Sequence, residues 1–214
     1  MAILSFAFSN IVIATASKMN GITIVIDAGH GGRDGGSVGV NGTVEKEINL
    51  LYALTLKEKL VENGYKVILT RSNDDGLYSP LAKNKKQSDM NKRMEIIKKA
   101  NPNLVISIHM NSFSNPNAKG SSVYYRLGDS SGERCAQLIQ KSFNCYCSVK
   151  GTTGKVGDYY ILNCSYYTSV LIECGFISNP DEERNLNSKD YRNKIINSIY
   201  YALTLYFGNY NGNV

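Results

Sequence analysis

Apolar positions along the chain fall into two spacings. Short apolar or β-branched runs lie at 22–27, 66–70, 104–108, 121–125, 159–162 and 168–172. Several are continuous, as strands covered on both faces are. Between them the apolar residues spread to helical spacing. Thr43 is placed to cap a helix running to residue 62, on which Ile48, Leu51, Tyr52 and Leu60 share a stripe and Asn63-Gly64 supplies a left-handed stop. A second helix, 88–100, turns Met90, Met94 and Ile97 inward and stops before Pro102. Ser130-x-x-Glu133 forms a capping box that opens a third. Asn179-Pro180-Asp181-Glu182 starts another with acids in its first turn, and the last covers 188–206. This alternation predicts an α/β fold: one domain, with a mostly parallel or mixed sheet of about six strands flanked by helices.

In such sheets ligands gather beyond the carboxyl ends of the strands. The stretch ITIVIDAGHGG, residues 22–32, puts His30 just past the first predicted strand, with glycines on both sides that let backbone and substrate approach closely. His109 follows LVISI, Glu173 follows TSVLI and Arg71 follows VILT. A lone histidine after a strand is commonly a structural hydrogen-bonder, but here both histidines of the chain occupy that position. Two neutral imidazoles and a carboxylate are a frequent ligand set for catalytic zinc. Glu45 and Glu47 are the nearby carboxylates. They lie about 200° apart around a helix, so one of them faces the site, and each also fits the role of a first-turn acid favoured by the helix dipole.

Composition narrows the picture. The chain has 214 residues, 43% hydrophobic and 20% charged, enough for one full core and too apolar for disorder. A net charge of +6 suits an anionic partner: nucleic acid, an acidic lipid surface or an acidic wall polymer. The lysines are scattered, and the densest cluster, Lys83, Lys85 and Lys86, reads as solvated surface. No recognition motif accompanies it, which argues against nucleic acid. The 5 cysteines form no CxxC pair, which argues against a structural zinc knot. Cys174 reads as a buried small hydrophobe, and Cys145 and Cys147 are open to disulfides. Residues 1–20 are apolar from Ala2 to Ala16 and offer an Ala14-Thr15-Ala16 site, the pattern of a secretory leader or truncated anchor, with an edge strand as the alternative. The domain proper then covers 21–208, and 209–214 form a tail.

Three stretches, DAGHGGRDGGSVGVNGTVEKEINL, SIHMNS and VLIECGFISNPDE, together resemble the zinc-dependent N-acetylmuramoyl-L-alanine amidases, bacterial cell-wall hydrolases, over most of residues 21–206. The resemblance implies one Zn2+ per chain held by His30, Glu45 and His109, which selects Glu45 over Glu47. It makes Glu173 the catalytic glutamate and Arg71, Arg93 and Asn111 substrate-binding residues, the arginines having structural ion pairing as their alternative. Cys174 stands where the family has a small or apolar residue. The implied substrate is peptidoglycan, cut between N-acetylmuramic acid and the L-alanine of the stem peptide. A short chain with a hydrophobic leader looks similar to the germination-specific enzymes of spore-formers. That similarity implies export beyond the cytoplasmic membrane to the spore cortex, a part in forming muramic-δ-lactam, and a protein partner that positions or activates the enzyme. Two other functions fit the same residues: another zinc amide hydrolase such as a deacetylase, and a non-catalytic wall-binding module. The facial triad of non-haem iron oxygenases has the same ligand types but usually sits in an all-β barrel, which the predicted helices oppose.

Overall fold

The computed structural model describes residues 21–147, 152–163 and 166–208. The expected leader, the expected tail and Cys164 lie outside the described residues. In chain order the elements are β1 (Thr23–Ala28), α1 (Glu45–Glu62), β2 (Lys66–Leu69), α2 (Lys85–Ala100), β3 (Leu104–Asn111) and β4 (Ser122–Tyr125), then α3 (Ser130–Tyr146), β5 (Lys155–Val156), α4 (Tyr160–Asn163), β6 (Ser169–Phe176), α5 (Pro180–Asn187) and α6 (Lys189–Gly208). The strands form one sheet in the order β2-β1-β3-β6-β4-β5. Neighbours from β2 through β6 are parallel, and β4 runs antiparallel to β6. This is the mixed, helix-flanked α/β sheet that the sequence predicts.

Strand alternation divides the side chains between two cores. Ile24, Ile26, Leu104, Ile106, Ile108, Val170 and Ile172 face α1, α3 and α6. Val25, Val105 and Leu171 face the other way, against Ile97 of α2 and Ile161 and Leu162 of α4. Both faces are covered, which is why the strand sequences are continuously apolar. Two residues further along each central strand, the period of two places Asp27, Ser107 and Glu173 on the α2/α4 side, with His109 two beyond Ser107. Polar side chains therefore replace apolar ones where the strands approach their carboxyl ends.

Some local expectations need correction. Val44, not Thr43, is the N-cap of α1 and makes no side-chain cap; the Thr43 hydroxyl instead accepts from Asn187 Nδ2 at 2.9 Å. Leu51 is exposed, and Leu56 continues the buried stripe. Helix α2 starts earlier than predicted because Asn84 caps it, accepting from Gln87 N. Asp129 caps α3 by accepting from Gly132 N, in place of the predicted serine box. The run at 159–162 is not a strand: Ile161 and Leu162 bury themselves from the single turn of α4. The sixth strand is β5, two exposed residues paired with β4. At the start of α5 the expectation holds, with Asn179 accepting from Asp181 N and Glu182 N and Pro180 in the first turn. Cys135, Cys145, Cys147 and Cys174 are free thiols, and Cys174 is fully buried.

Candidate metal centre and active site

The loop after β1 is held by buried charge. Asp27 accepts from Thr70 Oγ1 at 2.8 Å, Ser107 Oγ at 2.7 Å and Arg93 at 2.6 Å. Burial pushes its pKa up, but the Arg93 charge and these hydrogen bonds outweigh it and bring the carboxyl down to about 2. Arg93 also donates to the carbonyls of Ala28 and His30, at 2.8 and 2.6 Å. Arg71 donates to four carbonyls, those of Ala28, Gly29, Lys46 and Asn73. Both arginines are 3% exposed and clamp the loop to its neighbours. Arg93 reaches the wall of the cleft described below, whereas Arg71 and Asn111 do not. Asn111 ends β3, its carbonyl accepting from Ile177 N at 2.8 Å.

Clamped in this way, the chain turns sharply. Gly29 N donates to Ile108 O at 3.0 Å, bringing the loop against β3. A Cβ on Gly29 would lie 2.2 Å from His109 Cε1, so only glycine leaves room for that ring. His30 follows in the left-handed region, φ 60°, a conformation that costs a histidine on the order of 1 kcal/mol. Its imidazole thereby meets that of His109 edge to face, with centroids 5.0 Å apart.

Glu45, the first residue of α1, supplies the third group. Its Oε1 lies 3.2 Å from His30 Nε2 and 3.1 Å from His109 Nδ1. Asn49 Nδ2 and Met110 N donate to the same oxygen, at 3.2 and 3.3 Å, and Ser37 N donates to Oε2 at 2.8 Å. Burial works against the Glu45 charge, but hydrogen bonds to His109 and His30 and their positive charge hold its pKa far below the carboxylate range. Burial likewise opposes a charged His30, yet Glu45 and then Asp34 raise its pKa above the ordinary value. Asp34 Oδ1 sits 2.9 Å from His30 Nδ1, in ion-pair contact with the side of the ring away from Glu45. One atom from each of His30, Glu45 and His109 lies within 4.8 Å of the others. Two imidazoles and an ionised carboxylate converging on one point are a donor set that fits Zn2+. Glu47, by contrast, is exposed.

Glu173 is the register partner of His109 across β3 and β6. It is 8% exposed, and its Oε2 has no hydrogen-bond partner among the described residues. Burial pushes its pKa up to about 7, and Glu45 adds to the rise while His109 and His30 oppose it. A buried carboxyl that titrates near neutrality beside a metal-type cluster is suited to moving protons. The imidazoles open into a cleft of about 450 Å³, walled by Tyr78, Tyr159 and Tyr160 and by Arg33, Lys85 and Lys86. Lys85 and Lys86, expected as plain solvated surface, thus border the site.

Three contributors escaped the sequence analysis. Asn49 was legible in principle, four residues after Glu45 on the same helix face. Asp34 stands four residues after His30, but only the loop's turn brings the two together. Glu183, 1% exposed, accepts from Asn41 N, Asn41 Nδ2 and Thr43 N and so fixes the approach to Glu45. No local signal announces a contact across so many residues.

Comparison with known proteins decides the family. A family model described as N-acetylmuramoyl-L-alanine amidase matches residues 24–204. The chain belongs to the N-acetylmuramoyl-L-alanine amidase family. Among relatives, it is 32% identical over 195 residues to the germination-specific N-acetylmuramoyl-L-alanine amidase of Bacillus subtilis, covering 88% of this chain and 81% of the relative. Among solved structures, the CwlD amidase of Clostridioides difficile, in complex with the GerS lipoprotein, superposes with a TM-score of 0.83 at 34% identity, covering 87% of this chain and 98% of that one. The amidase AmiC2 of Nostoc punctiforme gives a TM-score of 0.75 at 28% identity over 87% of this chain and 97% of its own. The chain is an enzyme of this family, a cell-wall hydrolase that cleaves the amide between N-acetylmuramic acid and L-alanine.

Proposed function

We propose that the amidase works with zinc held by His30, Glu45 and His109, and that Glu173 is its acid–base residue. One observation carries this: His30 Nε2 and His109 Nδ1 converge on the same Glu45 oxygen, while Glu173 stands in register beside His109. Zinc bound there supplies Lewis acidity that polarises the lactyl amide carbonyl and acidifies water. Glu173 takes a proton from the attacking water as its oxygen bonds to the carbonyl carbon. The carbon–nitrogen bond then breaks, and Glu173 returns the proton to the departing amine of L-alanine. Asp34 and Asn49 orient His30 and Glu45, and the Asp27–Arg93 pair keeps the loop rigid. Arg33, Lys85 and Lys86 give the cleft a basic side for the carboxylates of the stem peptide.

The likeness to a germination-specific amidase and to an amidase that binds a lipoprotein supports a role in the spore cortex. That role comprises muramic-δ-lactam formation by an exported enzyme with a protein partner that positions or activates it. No helix among the described residues is long and apolar enough to cross a membrane. The test is product analysis on intact peptidoglycan before and after metal removal. Free amino groups on L-alanine, lost with a chelator and restored by Zn2+, are expected. Released acetate would make the chain a deacetylase, and binding without products would make it a wall-binding module.

A further inference from the structure

A second groove, with a volume of about 530 Å³, lies between α2 and the tyrosines Tyr160, Tyr166 and Tyr167. Met94 and Ile97, which pack into the core on this side of the sheet, form its apolar floor, and Asn91 and Lys98 stand along it. Tyr160 lines both this groove and the catalytic cleft, so the two adjoin at its ring. Gln87 Nε2 donates to the Tyr160 hydroxyl at 3.1 Å, which fixes that ring at the junction. Tyr166, also in its lining, is 99% exposed, so the fold gains nothing from its ring. A large aromatic side chain left wholly in water beside an apolar floor is available to a ligand.

We propose that the glycan strand of the substrate leaves the cleft over Tyr160 and lies in this groove, with a sugar ring packed on Tyr166. The inference rests on the amidase activity and concerns where the polymer goes. The scissile amide hangs as a side branch from a continuous strand, so the strand must pass the metal cluster and continue beyond it. Pyranose rings present C–H faces that pack on aromatic rings, and hydroxyl and acetamido groups that pair with amides and ammonium groups such as those of Asn91 and Lys98. The groove itself is lined by one acid and one base, Glu95 and Lys98, and Glu95 is further paired to Lys92 at 2.8 Å, which suits a sugar backbone better than an anionic peptide. The basic side of the cleft, at Arg33 and Lys86, is left for the stem peptide.

The test compares two substrates carrying the same stem peptide, a single disaccharide and a long glycan strand, cut by wild type, Tyr166→Ala and Tyr166→Phe. Tyr166→Ala is expected to lower the ratio of kcat/KM on long strands to that on the disaccharide by about tenfold, through KM, and Tyr166→Phe to preserve it. Glycan strands stripped of peptide should also inhibit cleavage of the disaccharide by wild type more strongly than by Tyr166→Ala. Thermal stability should not change, since the ring is fully exposed. A wild-type ratio in Tyr166→Ala, as expected if a protein partner covers the groove instead, would overturn the proposal. Failure of the wild-type protein to cut either substrate would overturn the amidase activity itself.

Discussion

His109 and Glu173 stand opposite each other as register partners on adjacent parallel strands, β3 and β6, near the carboxyl ends of both. A single hydrogen-bonded ladder thus fixes an imidazole of the candidate metal cluster and the carboxylate proposed to move the proton relative to one another. Neither depends on a loop for its position, whereas His30 does, and that loop is clamped by two buried arginines.

Glu45 and Glu47 separate binding from helix electrostatics. Glu45 is buried and shared by both imidazoles, while Glu47 is exposed on the same turn. Glu45→Ala should strip zinc from the purified protein, and Glu47→Ala should leave about one equivalent, measured by elemental analysis. The opposite pattern would move the metal ligand by two residues.

Asp34 lies in ion-pair contact with the His30 nitrogen that faces away from Glu45. Asp34→Ala should therefore weaken zinc affinity by about 10–100-fold in a competition titration with a chromophoric chelator, while leaving stoichiometry at saturation unchanged.

Asp27 and Arg93 are predicted to support the fold. Asp27→Asn leaves the buried Arg93 guanidinium with Asp89, 3.2 Å away, as its remaining counter-ion and should cost about 1–3 kcal/mol in urea unfolding. The Asp27 pKa is depressed from 3.8 to about 2 in the folded state. The contribution of the ionised carboxylate is therefore fully present above the ordinary value and is lost as pH falls through about 2. Stability curves of wild type and variant should converge toward that pH, and a constant gap would contradict the ion-pair account.

The metal-free protein should carry a measurable penalty at Glu173, whose pKa is raised from 4.5 to about 7. For a raised pKa, stability is fully present below the unfolded value and is lost as pH rises through the folded one. Glu173→Gln, which cannot ionise, should match metal-free wild type near pH 4 and exceed it above pH 8 by on the order of 2–3 kcal/mol. Parallel curves in denaturant melts would show that the carboxyl is not buried as described.

Much of this was legible because strand ends are marked twice, by the end of an apolar run and by the chemistry that follows it. His30, His109 and Glu173 all announce themselves in that way. The run 159–162, three residues of which lie in α4, did not, since a short apolar stretch with two tyrosines fits a strand and a buried turn equally well. β5 has no apolar pattern at all, because both its residues are exposed. The arginines showed only their charge. Their burial, and the carbonyls and carboxylates that claim their donors, come from segments far apart in the chain and exist only once the sheet has assembled. Tyr166 gave no signal because its exposure follows from the path of the chain rather than from its neighbours in sequence.

The division of labour between the His30–Glu45–His109 cluster and Glu173 is tested most directly by one preparation of Glu173→Gln, assayed together for bound zinc and for cleavage of the muramoyl–L-alanine amide. Glutamine keeps the size of the side chain and removes its basic oxygen. Zinc should remain at the wild-type level while turnover falls by about 10²–10⁴-fold. Near-normal turnover would remove Glu173 from the chemistry, and loss of zinc with the activity would make it a ligand and contradict the three-residue centre.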